Sequence, residues 1–330
     1  MRSLRLLALT GVTLSLLVAP GLLLAQTSPK VFRVGYLVAG GRTPDGLAPR
    51  TLRESLTSLG YVEGRNIAYE VRFAEGKLDR LPELAAELVR LKADVIATQG
   101  GLATVAATRA TSTTPIVIAL SAGDAVATGL IASLARPGGN VTGMTDEVVQ
   151  LSAKRMEILK EAAPKATRIA VMWNRDDAGM TLRYREIEKS ARTLNVEVQP
   201  LGVREPGDFQ QAFAEMTRRR PDAMFVVADA LTIMNRKHLL EFAATQRIPA
   251  MYEFGFIVRD GGLISYGPSA DDELRRAADY IDRILKGAKP ADLPAQQPTR
   301  YYLSINLKTA AGLGLTISPS LLLRADSVVE

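Results

Sequence analysis

Compact apolar runs and helical stripes alternate along this chain. FRVGYLVAG, NIAYEVRFAEG, ADVIATQGG and TPIVIALSAGD are short apolar segments bounded by Gly, Pro or Asp. Between them the period lengthens to that of a helix, as at Leu81, Leu84, Ala85 and Leu88. Strands that alternate with helices predict a parallel sheet covered on both faces. The second half repeats the order: RIAVMWNRDD, VEVQPLGVRE, PDAMFVVADA and RIPAMYEFG are its strands, with LRYREIEKSARTLN and DFQQAFAEMTRRR among its helices. Two such sheets in tandem predict two lobes with a cleft between them. Ligands of open parallel sheets bind beyond the carboxyl ends of the strands.

The amino terminus departs from this pattern. MRSLRLLALTGVTLSLLVAPGLLLAQ has two arginines, an uncharged apolar run from Leu6 to Leu24 and a small residue at Ala25, which reads as a secretory signal over residues 1–25. The run, about 19 residues, is also long enough for an uncleaved membrane anchor; Pro20 and Gly21 near its end favour cleavage. No later segment approaches spanning length, so an exported chain from residue 26 onward is expected.

Composition narrows the chemistry. The chain has no cysteine, which excludes a lipid-modified cysteine, a disulfide framework, Cys-ligated zinc and a thiol nucleophile. The formal charge of +6 includes Arg2 and Arg5 of the leader, and the excess left without them is too mild to indicate a nucleic-acid partner. The densest basic run, Arg218-Arg219-Arg220, closes a helix, where cations suit the negative end of the dipole. The lone histidine, His238, sits in the helical stretch NRKHLLEF, and neither GxSxG nor HExxH occurs. Asp176-Asp177 and Asp271-Asp272 precede helices and read as caps. No enzyme, cofactor or metal site is expected.

The turn TQGGLAT lies between a strand and a helix but lacks the lysine of a P-loop and the third glycine of a dinucleotide turn. Gly100 and Gly101 either bring backbone NH groups to a small ligand at a helix N-terminus or only make a tight turn.

The segments LGYVEGRNIAYEVRFAEGKLDRLPELAAELVRLKADVI, SLARPGGNVTGMT, GGLISYGPSADDELRRAADYIDRILKGAKPADLPAQQPTRYYLSINLKTAAGLGLTI and PSLLLRAD resemble the solute-binding components of ABC-type importers, in the branch with tryptophan- and tyrosine-binding members. The resemblance covers nearly everything after residue 30. It implies a type I periplasmic-binding fold, two Rossmann-like α/β lobes with three crossovers, closing on a small-molecule ligand and docking on an ABC permease whose ATPase subunit is a separate chain. A periplasmic monomer is expected. The implied crossings fall near 139–145, near SYGPS and near AKPADLP, which gives an N-lobe of 31–142 plus 267–288 and a C-lobe of 143–266 plus 289–330. Gly139, Gly143 and Gly267 are expected to supply backbone freedom there. Two loops depart from the family: Gly123-Asp124-Ala125-Val126 lacks the usual proline, and Gly101-Leu102 replaces a Thr or Pro. The ligand therefore cannot be copied from a relative.

Residues that follow the strands are the candidate ligand contacts: Gly40, Gly41 and Arg42; Gln99, Gly100 and Gly101; Ser121 and Asp124; Trp173, Asn174 and Arg175; Asp229; Tyr252 and Glu253; and Tyr266. Asp229 ends MFVVA, where a carboxylate meets an ammonium with little competing water, or else caps the next helix. Asp124 reads more readily as a cap. Ser121 is equally a contact or a local turn bond. Trp173, Tyr252 and Tyr266 could stack on a planar ligand or pack in the core, and Arg42 could pair with a carboxylate or stay solvated. The function implied is capture of an amino acid or similar solute for import. A ligand sensor that hands its solute to a membrane receptor is the alternative, and deleting the permease separates the two.

Overall fold

The structure, a computed structural model, describes residues 30–120, 123–146 and 148–330, with no account of the side chains of residues 148–150. The expected leader and Ser121 lie outside the described residues. Val31–Glu330 forms one compact unit. None of its described helices is long and apolar enough to cross a membrane.

The first sheet is built by β1 (Phe32–Val38), β2 (Ile67–Phe73), β3 (Val95–Gln99), β4 (Ile116–Leu120) and β5 (Val141–Gly143), with α1 (Arg50–Ser58), α2 (Leu81–Arg90) and α3 (Gly101–Ala110) between them. Its order is β2-β1-β3-β4-β5, every pair parallel. Side chains alternate strictly between two cores. Val34, Tyr36 and Val38 join Val95, Ala97, Val117 and Ala119 on one face, while Leu37, Ile96, Ile116 and Ile118 join the α2 and α3 residues on the other. Burial of both faces is why these strands read as continuous apolar runs.

The chain then crosses over. It continues through α4 (Val148–Ala162), β6 (Arg168–Asn174), α5 (Ala178–Thr193), β7 (Glu197–Val203), α6 (Asp208–Arg218), β8 (Ala223–Val226), α7 (Ala230–Met234), α8 (Arg236–Thr245), β9 (Ala250–Tyr252), α9 (Gly255–Arg259) and β10 (Ile264–Gly267). After α10 (Ala270–Leu285) come β11 (Tyr302–Asn306), α11 (Leu307–Gly312), α12 (Pro319–Leu323) and β12 (Ser327–Val329). The second sheet has the order β12-β11-β10-β9-β8-β6-β7. Only β10 and β11 run antiparallel, with Gly267 opposite Tyr302. The chain leaves the second sheet at the carboxyl end of β10, visits the first lobe and re-enters beside the point of departure, so its next strand must run the other way.

That visit is made by α10. Ser269 caps it, accepting the Asp272 NH at 3.3 Å, and Asp271, Asp272 and Glu273 occupy its first turn. Leu274, Ala277, Ala278 and Ile281 recur at helical spacing and complete the core of the first sheet. The third crossing falls later than the sequence implies. Leu293 and Ala295 still pack into the cores of the first lobe, the Ala295 NH donates to the Leu134 carbonyl at 2.8 Å and the Thr142 hydroxyl to the Leu293 carbonyl at 2.7 Å. The chain departs only after Gln296, whose NH donates to the Gly143 carbonyl.

Gly143 answers a close approach. Its φ is +123°, and a methyl there would lie 2.4 Å from the Ile118 carbonyl oxygen across the β4–β5 ladder. Gly143→Ala is expected to cost about 1–3 kcal/mol through backbone strain and displacement of β5. Urea unfolding measures it, and a loss below about 0.5 kcal/mol would contradict the close packing described.

Candidate functional site

A cavity of about 260 Å³ lies between the two lobes, just below the range of roughly 300–1,000 Å³ usual for small-molecule sites. The lobes touch beside it: a methyl on Gly76 would lie 2.9 Å from Met234 Sδ, and one on Gly123 would lie 3.5 Å from Gly179 Cα. The arrangement is closed.

From the first lobe come Gly40, Gly41 and Arg42 after β1, and Gln99, Gly100, Gly101 and Leu102 around the start of α3. Gly100 has φ +99°, and no side chain among the described residues caps this helix; its first NH groups lack intrahelical acceptors by geometry and form an electropositive end. Gln99 is held by the Tyr36 hydroxyl, which donates to its Oε1 at 3.1 Å. The Arg42 guanidinium lies 5.5 Å from the Phe73 ring centre and pairs with Glu75 at 2.9 Å. That pairing holds the Glu75 carboxyl below its usual range.

The second lobe contributes two buried carboxyls, Asp177 and Asp229. Asp229 Oδ1 accepts the Thr232 NH at 2.9 Å, and the Asp229 NH donates to the Thr232 hydroxyl oxygen, closing a capping box on α7. Its Oδ2 accepts from Asn174 Nδ2 at 2.7 Å. Asp177 caps α5 with Oδ1, which accepts the Gly179 and Met180 NH groups at 2.8 and 3.2 Å. Its Oδ2 accepts no hydrogen bond among the described residues and is left to the cavity. Burial raises both carboxyls above their usual range, and for Asp177 the neighbouring Asp229 charge adds to the rise. Two acids that resist ionising together are stabilised by an incoming cation.

The remaining wall is apolar. Met180, Ile233 and Met234 line it with Phe254 and Phe256, whose rings are 5.7 Å apart and nearly parallel. Arg236 caps this end, 5.9 Å from the Phe256 ring centre and paired with Asp260 at 2.8 Å.

Of the residues expected from sequence, Gly40, Gly41, Arg42, Gln99, Gly100, Gly101 and Asp229 line this cavity. Ser121 lies outside the described residues, and the others sit elsewhere. Asp124 binds the NH groups of Val126 and Ala127 in its own turn. Trp173 stacks on Tyr184 at 3.8 Å and donates to Thr181. Asn174 is fully buried and acts on Asp229. Tyr252 lies in the core of the second sheet, Tyr266 rests beside Tyr301, and Glu253 pairs with Arg155 and Arg183. Sequence reasoning missed Asp177, Met180, Met234, Phe254 and Phe256. The signal available was one further turn of chain beyond each strand tip: DDAGM after β6 and EFGF after β9.

A family model described as ABC transporter substrate binding protein matches residues 47–329. The chain is 26% identical over 263 residues to a tyrosine-binding protein of Clostridioides difficile, covering 79% of this chain and 75% of that one. Among solved structures it is similar to a conserved domain protein from Vibrio cholerae (25% identity, TM-score 0.84, 91% of this chain and all of that one). It is also similar to an ABC domain from Streptococcus pneumonia in complex with L-Trp (23% identity, TM-score 0.84, with the same coverage). The matched span takes in both sheets and every described cavity residue from Gln99 onward, so the chain belongs to the ABC transporter substrate binding proteins, whose work is binding and not catalysis.

Proposed function

We propose that this protein is the extracytoplasmic solute-binding component of an ABC importer, and that its solute is an amino acid with a large apolar or aromatic side chain. The observation that carries this reading is the pair of buried carboxyls, one with an unpartnered oxygen, in a cavity that also holds an uncapped helix N-terminus and an apolar wall. The ammonium would sit against Asp177 and Asp229, and the carboxylate against the start of α3 with Arg42 nearby. The side chain would lie among Met180, Phe254 and Phe256. The tyrosine-binding relative and the L-Trp complex support the choice of class.

The mechanism is capture by closure. The three crossings serve as a hinge, the solute populates the closed form, and that form delivers it to a permease driven by a separate ATPase subunit. A leader over residues 1–25 would bring the chain to the periplasm, where it acts as a monomer.

Thermal unfolding of residues 26–330, stripped of any bound solute, tests the class. A ligand at 100 times its Kd adds about 2.7 kcal/mol, roughly 5 °C for a chain of this size. Aromatic amino acids are expected to produce that shift and sugars none. If the folded, stripped protein ignores every amino acid, the assignment fails.

A further inference from the structure

A second cluster of charges lies where the lobes join, near enough to the solute cavity for Asp177 to act on its Arg183. Arg183 of α5 pairs with Asp146 and with Glu253, and Arg155 of α4 pairs with Glu253 at 3.3 Å. Arg155 also donates from Nε to the Tyr266 carbonyl at 2.6 Å, at the second crossing. Asp146 belongs to the first crossing, its NH donating to the Gly123 carbonyl at 3.0 Å. Glu273 is on α10, the helix of the first lobe. All five side chains are buried.

The charges do not balance: three carboxyls face two guanidiniums. Glu273 is the odd one out. It has no ion pair among the described residues, and its Oε2 is buried without a hydrogen-bond partner. The charged groups acting on it are Asp146 from the first crossing, Arg183 from α5, and Arg276 and Asp272 on its own helix. Arg183 is already shared by two carboxylates, and Arg276 is turned to Gln296 and Thr299. Beside Glu273 a cavity of about 220 Å³ is lined by Met144, Ser269 and Pro298, one residue from each crossing. It gives the carboxyl a route to solvent at the point where the lobes hinge.

We propose that this cluster is a proton-operated latch: closing the lobes places one proton on Glu273, so that the closed form gains population as the solution becomes more acidic. The cluster contains groups from both lobes and from the linking segment, so opening hydrates it and restores Glu273 to an ordinary carboxylate. In the closed form burial and the Asp146 charge push the Glu273 carboxyl well above its usual range. A group that binds its proton more tightly in the closed form favours that form as pH falls. The effect is one proton, about tenfold in the closed-to-open ratio per pH unit between the two carboxyl ranges. The inference rests on the hinged reading above.

The cysteine-free chain allows a direct test. Dyes on Ser58→Cys and Thr217→Cys, one exposed site in each lobe, report the separation of the lobes by single-molecule energy transfer without added solute, from about pH 4 to 8. Two separations are expected, with the closed one gaining on acidification and Glu273 contributing up to tenfold per pH unit. Glu273→Gln, which supplies a permanently neutral group of the same shape, should lower that dependence by one proton. Asp177 and Asp229 also titrate on closure, so it is the difference between wild type and Glu273→Gln that carries the result. Two populations in a pH-independent ratio, or a Glu273→Gln variant with the full wild-type slope, overturn the latch and leave the hinge standing. A single separation at every pH overturns both.

Discussion

Arg183→Met is expected to unfold about 3–5 kcal/mol more easily than wild type at neutral pH, the largest stability effect foreseen for a single side chain here. The methionine fills much of the space but leaves Asp146 and Glu253 buried in an environment arranged for a cation, with Arg155 alone against three carboxyls. Removing one member of a buried pair leaves the other's desolvation uncompensated. The pH dependence follows from the same arrangement. Burial raises the Asp146 and Glu273 carboxyls in the folded protein even with Arg183 present. A carboxyl raised in the folded state contributes stability that is complete below its unfolded range, near pH 4, and is lost as pH rises through its folded value. Without the guanidinium that loss is greater, so the deficit of the variant should shrink on acidification from pH 7 to about pH 5. Urea unfolding at the two pH values measures both effects. A deficit under about 1 kcal/mol at neutral pH would mean that the cluster is hydrated.

The second large effect concerns affinity. Asp229→Asn preserves the shape of the capping box but removes a charge from the solute cavity and turns an amide toward the Asn174 amide. Breaking one partner of a desolvated charge pair costs about 2–5 kcal/mol of binding, so affinity for L-tyrosine or L-tryptophan should fall roughly thirtyfold or more while the fold remains. Calorimetric titration at pH 7 checks this, 2 kcal/mol being about a thirtyfold loss and the least expected. Affinity within tenfold of wild type would remove Asp229 from ammonium recognition and leave it as a helix cap.

The alternation of strands and helices was legible because both faces of each sheet are buried, which makes every inner strand an apolar run. The walls of the cavity were less so. The rule that ligands lie beyond strand ends located the right end of each sheet but not which side chains turn into the cleft. Trp173 shares its face with Ile169 and Val171 and packs in one core, while Ala170 and Met172 point into the other. That parity directs the indole away from the solute although it stands at a strand tip. Beyond β9 the chain turns once more, sending Glu253 into the charge cluster and presenting Phe254 and Phe256 to the cavity. Contacts made after such a turn depend on the path of the loop, which periodicity does not encode. The charge cluster was invisible for another reason: its members are up to 127 residues apart, from Asp146 to Glu273, and meet only because the chain crosses between the lobes more than once.

The visit of α10 to the first lobe also sets an order of completion during synthesis. The five strands of that lobe have all emerged by residue 143, yet the face carrying Tyr36, Val95, Ala97, Val117 and Ala119 is covered only in part, by Leu52 and Leu56 of α1, until Leu274, Ala277 and Ile281 arrive. By then β6 to β10 of the second lobe have already been made. The lobe begun first is thus finished last, and a nascent chain carries a half-covered apolar sheet face for most of its length. The two halves cannot mature one after the other as independent domains usually do. A fragment ending at residue 143 should accordingly be sticky and poorly folded, however complete its sheet looks on paper.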